Sequence, residues 1–465
     1  MRQVGENIIK TVHQDLTEQS VATWQTELSR QGVQFVFAQF ADIHGSAKGK
    51  LIPLSHLGDL RYPGAGFAGP SIWGTALGRT GPRSEYYGRA DFSTLQPMPW
   101  LPGYARVVLD GYVGGEAFAL CPRQILRQQA ARLASRSWVL NAGLEPEFFL
   151  LEKGPNGYQA ETGDTLEKPS YDSKSLLRRR SFLEKLVASL DTCGLGVFQI
   201  DHEDAVGQYE VNYRYSHALK AADNLMLFKM AAQHIAESEG LLFSMMPKPF
   251  ADRPGSGLHF HLSLMDGDGH NVSSANEGEE DKLGLGLSKI GYHFLAGLLH
   301  HAPALTALCA PTVNSYKRLL CAESLSGTSW APATIAWGDN NRTTVARVVY
   351  QRIEWRLPDS AANPYLALAA VIAAGLDGVE RELDPGLPIN ADIYEMSAKQ
   401  RAMHDLQLLP QNLGQAVDAL QADTVLSQAL GTDFVAEFVR LKRAEWAEYS
   451  QQVSQWELTR YLDRF

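Results

Sequence analysis

Three segments of this chain place ionisable side chains two residues apart inside otherwise apolar runs. GLEPEFFLL carries Glu145 and Glu147, GSGLHFHLS carries His259 and His261, and QRIEWRLPD carries Arg352, Glu354 and Arg356. Residues two apart point to the same side of a strand. Each segment therefore reads as a strand with one charged face and one apolar face. Two carboxylates side by side on a strand that is otherwise buried are costly unless a cation neutralises them. Taken singly, each pair also fits a solvated strand face.

Further residues of the same chemistry lie along the chain. Glu203 and Glu210 flank a turn in DHEDAVGQYEVNY, so a hairpin would bring them together. Arg318, Arg342 and Arg347 precede Arg352 and Arg356. A guanidinium fork suits carboxylate and phosphate oxygens. Gly255 and Gly257, just before the histidines, permit close backbone approach to a ligand. Glu145, Glu147, Glu203, Glu210, Glu354 and His259 form an oxygen-rich donor set with one imidazole. Such a set selects hard divalent cations, Mg²⁺ or Mn²⁺, over a structural zinc. Acids, metals and arginines around a glycine-lined strand describe phosphoryl transfer.

The organisation fits an α+β protein. The first ~120 residues hold strand-like segments at Gln34–Phe40, Ala47–Leu51 and Tyr104–Val113, a helix over Val21–Gln31 and a glycine-rich loop over Gly64–Pro82. A boundary near Leu120 precedes strands alternating irregularly with long helices, among them Ala218–Glu239, Lys289–His301, Pro364–Glu382 and Phe434–Trp456. This pattern predicts a largely antiparallel sheet with helices outside, not a Rossmann fold. There is no GxGxxG or Walker A motif. The 465 residues carry a net charge of −10, a poor basis for binding nucleic acid or an anionic membrane. Four scattered cysteines, no apolar leader and no long apolar run predict a soluble, cytoplasmic chain with free thiols.

In this order, GLEPEFFLL, DHEDAVGQYEVNY, GSGLHFHLS, NSYKRL, NNRTTVAR, RIEWRLPD and AANPYLALAAVIAAGLDG resemble the glutamine synthetase family over roughly residues 34–460. The resemblance implies a small N-terminal β-grasp domain (21–119, after an extension, 1–20) and a large catalytic domain (120–465). It implies a homo-oligomeric ring of two stacked hexamers, with each active site shared between adjacent subunits. Carried over by motif, Glu147, Glu203 and Glu210 would hold one metal, and Glu145, His259 and Glu354 a second. Tyr215, His261, Ser263 and Arg352, with Glu145 and Arg347, would face ATP. Glu147, Gly255, Arg318 and Arg356 would face glutamate, and Arg342, Arg347 and Arg356 would act in catalysis, the first two on the transferring phosphate. The implied chemistry activates the glutamate γ-carboxylate as γ-glutamyl phosphate, which an amine then attacks.

Two departures fall on the amine side. Where ammonia-using members read FDGSS, this chain has Ala68 in Phe67-Ala68-Gly69-Pro70-Ser71. Where they carry a glutamate before Ala-Pro, it has Trp330 before Ala331-Pro332. Ammonium needs acidic or polar partners once desolvated, and these residues offer apolar surface instead. The expected activity is therefore ligation of glutamate to an amine bearing a hydrocarbon group, as in the γ-glutamyl-amide synthetase branch. Aniline, which arrives neutral, and methylamine or another small alkylamine are the two candidates. Ala68, Trp73, Trp330 and Asp339 are the expected amine pocket, with Asp339 a substitute base, and Trp337 reads either as pocket or as core. An ordinary glutamine synthetase and a non-catalytic scaffold or nitrogen sensor stand as alternatives. Tyr394 lies in a segment similar to one adenylylated in some relatives, and no modification is assigned to it.

Overall fold

The computed structural model describes residues 18–155, 157–163, 170–275, 281, 283–319 and 330–465. Nearly all of the expected extension 1–20 lies outside them, as do Cys321 and much of the stretch between Arg318 and Trp330.

Two sheets organise the chain. The first uses β1 (Phe35–Ala41), β2 (Ala47–Pro53), β3 (Ala65–Ala68), β4 (Glu85–Pro97), β5 (Tyr104–Val113) and β6 (Glu116–Ala117), in the order β2-β1-β5-β4-β3 with β6 on β5. β1 and β5 run parallel and the other pairings are antiparallel. The expected strands at its centre are present, and the helix over Val21–Gln31 spans Glu18–Arg30. Two strands escape the pattern in the sequence. β3 lies inside the glycine-rich stretch. β4 reads EYYGRADFSTLQP, whose charges blur any alternation, yet Arg89 lies over the Tyr62 and Tyr112 rings and the strand kinks between Asp91 and Gln96.

The second sheet comprises β7 (Trp138–Gly154), β8 (Gly157–Ala160), β9 (Val197–His202), β10 (Gln208–Tyr213), β11 (Ser216–His217), β12 (Leu242–Ser244), β13 (Leu258–Asp266), β14 (Trp337–Asp339), β15 (Ala346–Val349) and β16 (Arg352–Trp355). Its main path is β14-β15-β16-β13-β7-β10-β9, antiparallel except for β14 with β15. Alternation along β7 sends Leu144 and Phe148 into the core, where Phe148 meets Tyr209, Phe228 and Phe243. Glu145 and Glu147 are left on the opposite face.

The helix Pro364–Glu380 is buried along nearly its whole length, which explains its unbroken apolar run. No helix of the described residues is long and apolar enough to cross a membrane. The single helix expected over Phe434–Trp456 is two, Thr432–Ser450 and Gln455–Tyr461. Ser454 and Glu457 form a capping box that starts the second, a signal that is visible in SQWE. Cys121, Cys193 and Cys309 are free thiols.

Buried charge ties the sheets together. Arg123 reaches Asp91 on β4 (2.8 Å), Asp110 on β5 (2.8 Å) and Asp223 on the helix Ala218–Ser238 (2.7 Å). The Tyr365 hydroxyl donates to the same Asp223. Asn363 caps the helix Pro364–Glu380 and donates to the Asp42 carbonyl, so the Asp42–Gly45 turn is bound to the C-terminal part of the chain.

His301, 3% exposed by side chain, stands between Asp423 (Nδ1, 2.6 Å) and Asp377 (Nε2, 3.0 Å). Burial disfavours its charge, but the two carboxylates outweigh burial and raise its pKa above the ordinary 6.5. The stabilisation from the charged ring is complete below an unfolded pKa of about 6.5 and is lost as pH rises through the higher folded value. His301→Gln should therefore lower the unfolding midpoint most in mildly acidic buffer. The gap to wild type should narrow by about pH 9, as followed by thermal melts across pH. A gap that is constant with pH would contradict this.

Candidate active site

Strand register gathers the acids. His259 on β13 faces Glu145 on β7, and His261 faces Glu354 on β16. Glu210 on β10 faces Glu147. β9 and β10 form the expected hairpin, closed by the Glu203 N–H on the Gln208 carbonyl. His259 Nδ1 is 3.8 Å from both Glu145 and Glu354, and its Nε2 is 4.0 Å from Glu147. His261 Nε2 is 2.8 Å from Glu145. Its Nδ1 accepts from Arg352 Nε at 2.9 Å. Arginine can only donate, so the ring hydrogen sits on Nε2, towards Glu145.

Within this cluster two groups could each hold an ion: Glu145 with Glu210 and His259, and Glu145 with His261 and Glu354. The expected phosphate contact His261 thus turns inward to the acids here. Glu147 is held by the Gly257 N–H at 2.8 Å and by Gln208.

The electrostatics divide the cluster. Burial, then the neighbouring acids, push Glu203 and Glu210 well above the carboxylate range; Glu147 is the chief acid for Glu203, Glu145 for Glu210. Burial also opposes ionisation of Glu145, but His259 and His261 outweigh it and hold that carboxyl low. Glu354 is held at about 2, burial being outweighed by Arg356, His259, His261 and Arg347. Burial and Arg356 depress His259. Two acids that lack compensating cations, beside imidazole and further carboxylates, fit a divalent metal centre.

The arginines surround this cluster unevenly. Arg347 and Arg356 pair with Glu354 at 2.6 and 2.5 Å, and Arg347 also binds Asn340. Arg318 is buried and donates to the Leu357 and Arg356 carbonyls. Arg342 is exposed, with its charge felt at Tyr171. Arg352 is half-buried, and Ser263 lies two residues beyond His261 on β13. Tyr215 is exposed, with its Cβ beside that of His261 across Gly143. At Gly255 a Cβ would strike the Pro247 carbonyl oxygen at 2.4 Å. At Gly257 it would lie 2.9 Å from Glu147 Oε1 and 3.0 Å from both Arg318 Nη2 and His259 Nε2. Gly257 is therefore where the acid, arginine and imidazole converge.

Residues 119–461 match the profile described as glutamine synthetase, catalytic domain. The chain belongs to the glutamine synthetase family. A glutamate–methylamine ligase of Methyloversatilis universalis is 50% identical over 95% of this chain and 99% of its own. A glutamine synthetase of Rhizobium meliloti is 38% identical over 93% and 97%. A solved GmaS/ADP complex is 40% identical, covers 94% of this chain and 99% of its own, and superimposes with a TM-score of 0.87. The α+β fold expected from the strand pattern is thus the glutamine synthetase-like fold.

Four residues are expected from the sequence around the amine. Ala68 lines a 680 Å³ groove drawn wholly from residues 66–87, none of them from the acid cluster. Trp73 is exposed, with its ring near His44. Trp330 lies on the catalytic half, its carbonyl taken by Arg356 at 3.0 Å. Asp339 is exposed at the end of β14. Trp73, Trp330 and Asp339 are not among the residues that line the Ala68 groove. Trp337 is core: it is 1% exposed and bonded to the Pro385 carbonyl.

Three functional neighbours were not read from the sequence. Asn340 orients Arg347, Gln208 supports Glu147, and Asp204 accepts the Trp330 indole N–H at 2.7 Å. Asp204 had a visible signal, as a second acid directly after Glu203. Tyr394 donates its hydroxyl to the Ala331 carbonyl at 2.6 Å.

Because burial and neighbouring acids raise the pKa of Glu203 and Glu210 in the ion-free chain, binding of Mg²⁺ or Mn²⁺ should release protons near neutral pH. Calorimetric titrations in buffers of different ionisation enthalpy should give different apparent heats; identical heats would contradict the reading. Gly257→Ala should weaken ion binding roughly 10–100-fold by displacing Glu147 and His259, with the far-ultraviolet circular dichroism unchanged.

Proposed function

We propose that this chain ligates the γ-carboxylate of glutamate to a primary amine, with ATP cleaved to ADP and phosphate, and that the amine is methylamine. Family ligases of this kind use ATP and divalent metals. The observation that carries the amine assignment is Trp330. It stands before Ala331-Pro332, with its carbonyl on Arg356, where ammonia-using members keep an acid. The higher identity to the glutamate–methylamine ligase than to the Rhizobium glutamine synthetase supports the same reading.

Glu145, Glu147, Glu203, Glu210, His259 and Glu354 would hold the ions, which when bound neutralise phosphate charge. The remaining roles belong to side chains of this protein. Arg318, buried with its Nη2 at the Gly257 corner, and Arg356, buried against Glu354, would orient the glutamate carboxylate. Arg356 Nε is buried without a hydrogen-bond partner among the described residues, which leaves a donor for substrate. Arg347, clamped by Glu354 and Asn340, is set to offset charge on the transferring phosphoryl group. Arg342 would have to approach that group from its exposed position. His261, Arg352, Ser263 and Tyr215 form a rim for the nucleotide. A γ-carboxylate oxygen attacks the γ-phosphorus and ADP leaves. The amine nitrogen then attacks the acyl carbon, loses a proton, and phosphate departs.

The groove at Ala68 is open and separate from the acids, which supports a ring in which one subunit's groove closes its neighbour's site. The helix Gln455–Tyr461 buries none of its residues and exposes Trp456 and Tyr461, and Leu462 and Phe465 just after it are exposed too, apolar surface suited to a further subunit contact.

A panel of amines with ATP and glutamate, followed by phosphate release, tests the reading. Methylamine should exceed ammonia, isopropylamine and aniline in kcat/KM, by about tenfold or 1.4 kcal/mol over ammonia. A preference for ammonia returns the chain to ordinary glutamine synthesis, and no turnover with any amine returns it to a scaffold. Ala68→Asp with Trp330→Glu should shift preference towards ammonia, and no shift would mean that these positions do not face the amine.

A further inference from the structure

Trp330 is about half-exposed (44%), yet it is not a loose surface ring. Three contacts fix it. Arg356 binds its carbonyl, Tyr394 binds the carbonyl of the next residue, and the indole N–H donates to Asp204 Oδ2. Only the last contact acts on the ring itself. The other Asp204 oxygen is hydrogen-bonded by the Ser170 hydroxyl, so both oxygens of this carboxylate are engaged from defined directions. Asp204 directly follows Glu203. An uncompensated acid beside a cluster already rich in acids is a liability. A hydrogen-bonding task on the ring gives it a reason to be there.

The indole N–H can only donate. Without an acceptor at this position, the ring would lose its one polar anchor and would be free to rotate about two side-chain bonds. An apolar wall selects by shape only while it is held still.

We infer that Asp204 is a positioning residue for amine selection: it pins the Trp330 ring as the apolar wall of the amine pocket. This rests on the assignment of Trp330 to that pocket. The role belongs to the hydrogen bond, not to the charge, and that separates it from a metal ligand or a base. Asn at 204 keeps an acceptor oxygen for the indole N–H, Ala does not, and Phe at 330 keeps the wall but loses the donor.

The test is a double-mutant cycle on the full-length enzyme with its metal, reading kcat and KM for methylamine, ammonia, glutamate and ATP. Asp204→Ala should raise the methylamine KM about tenfold and lower the methylamine-to-ammonia ratio of kcat/KM similarly, leaving the KM values for glutamate and ATP within about twofold. Trp330→Phe should do the same. The double variant Asp204→Ala with Trp330→Phe should be no worse than either single one. Asp204→Asn should keep the amine ratio near wild type. Losses that add in the double variant would overturn the proposal. So would an Asn variant as impaired as the Ala variant, or an equal rise in the KM for glutamate and ATP, which would place Asp204 in the metal site. A wild-type enzyme that prefers ammonia would sink the amine assignment instead. In a wild type that prefers methylamine, variants with an unchanged ratio would sink this inference alone.

Discussion

Carboxylates that are buried against one another repel, and no packing removes that repulsion. In this protein five of them converge on one face of the catalytic sheet, and the surrounding architecture answers to the problem. Period-two alternation puts Glu145, Glu147 and Glu354 on that face while Leu144, Phe148 and Trp355 fill the core behind it. Arginines and histidines meet the demand only on one side, where Glu145 and Glu354 are held ionised. On the other side Glu203 and Glu210 are left without a cation. The asymmetry itself defines where positive charge from outside the chain belongs.

The rigidity of this face follows from how it is joined. β7 runs seventeen residues and pairs with β8, β10, β11, β12 and β13, so it carries two of the acids on the most heavily supported strand of the sheet. Glu147 is fixed by the Gly257 N–H, and the Ser360 hydroxyl spans the Glu147 and Gly257 carbonyls. Precision of this kind suits a site that must hold ligand atoms within a fraction of an ångström.

What the sequence disclosed followed the reach of its signals. Alternation is local, so the acid-bearing strands and the hairpin at Glu203–Glu210 could be read directly, and the ordered motifs located the family. Ala68 and Trp330 stand where the resemblance expects the amine side. Their geometry was not legible, because Ala68 lies in a groove of its own and Trp330 binds Asp204 at a separation of 126 residues. β4 was lost for a different reason. Its Asp91 pairs with Arg123 and Arg127, so tertiary ion pairs override the pattern that a half-buried strand normally shows. The break after Ser450 was legible in the capping box, but the continuing helical periodicity concealed it.

Arg356 links the two halves of the proposed chemistry. One of its nitrogens pairs with Glu354, inside the acid cluster, and another holds the Trp330 carbonyl. The position of the amine-side wall is therefore coupled to the charge state of the cluster through one rigid guanidinium. An ion that draws on Glu354 would compete with Arg356 for the same carboxylate. Any movement of the guanidinium that results would be felt at the Trp330 backbone, while Asp204 holds the ring from the other end. Selection of the amine and neutralisation of the phosphate are then not independent modules placed side by side. They share a strut, so exchanging an acid for tryptophan on the amine side leaves the phosphoryl-transfer side intact only while that strut stays in place.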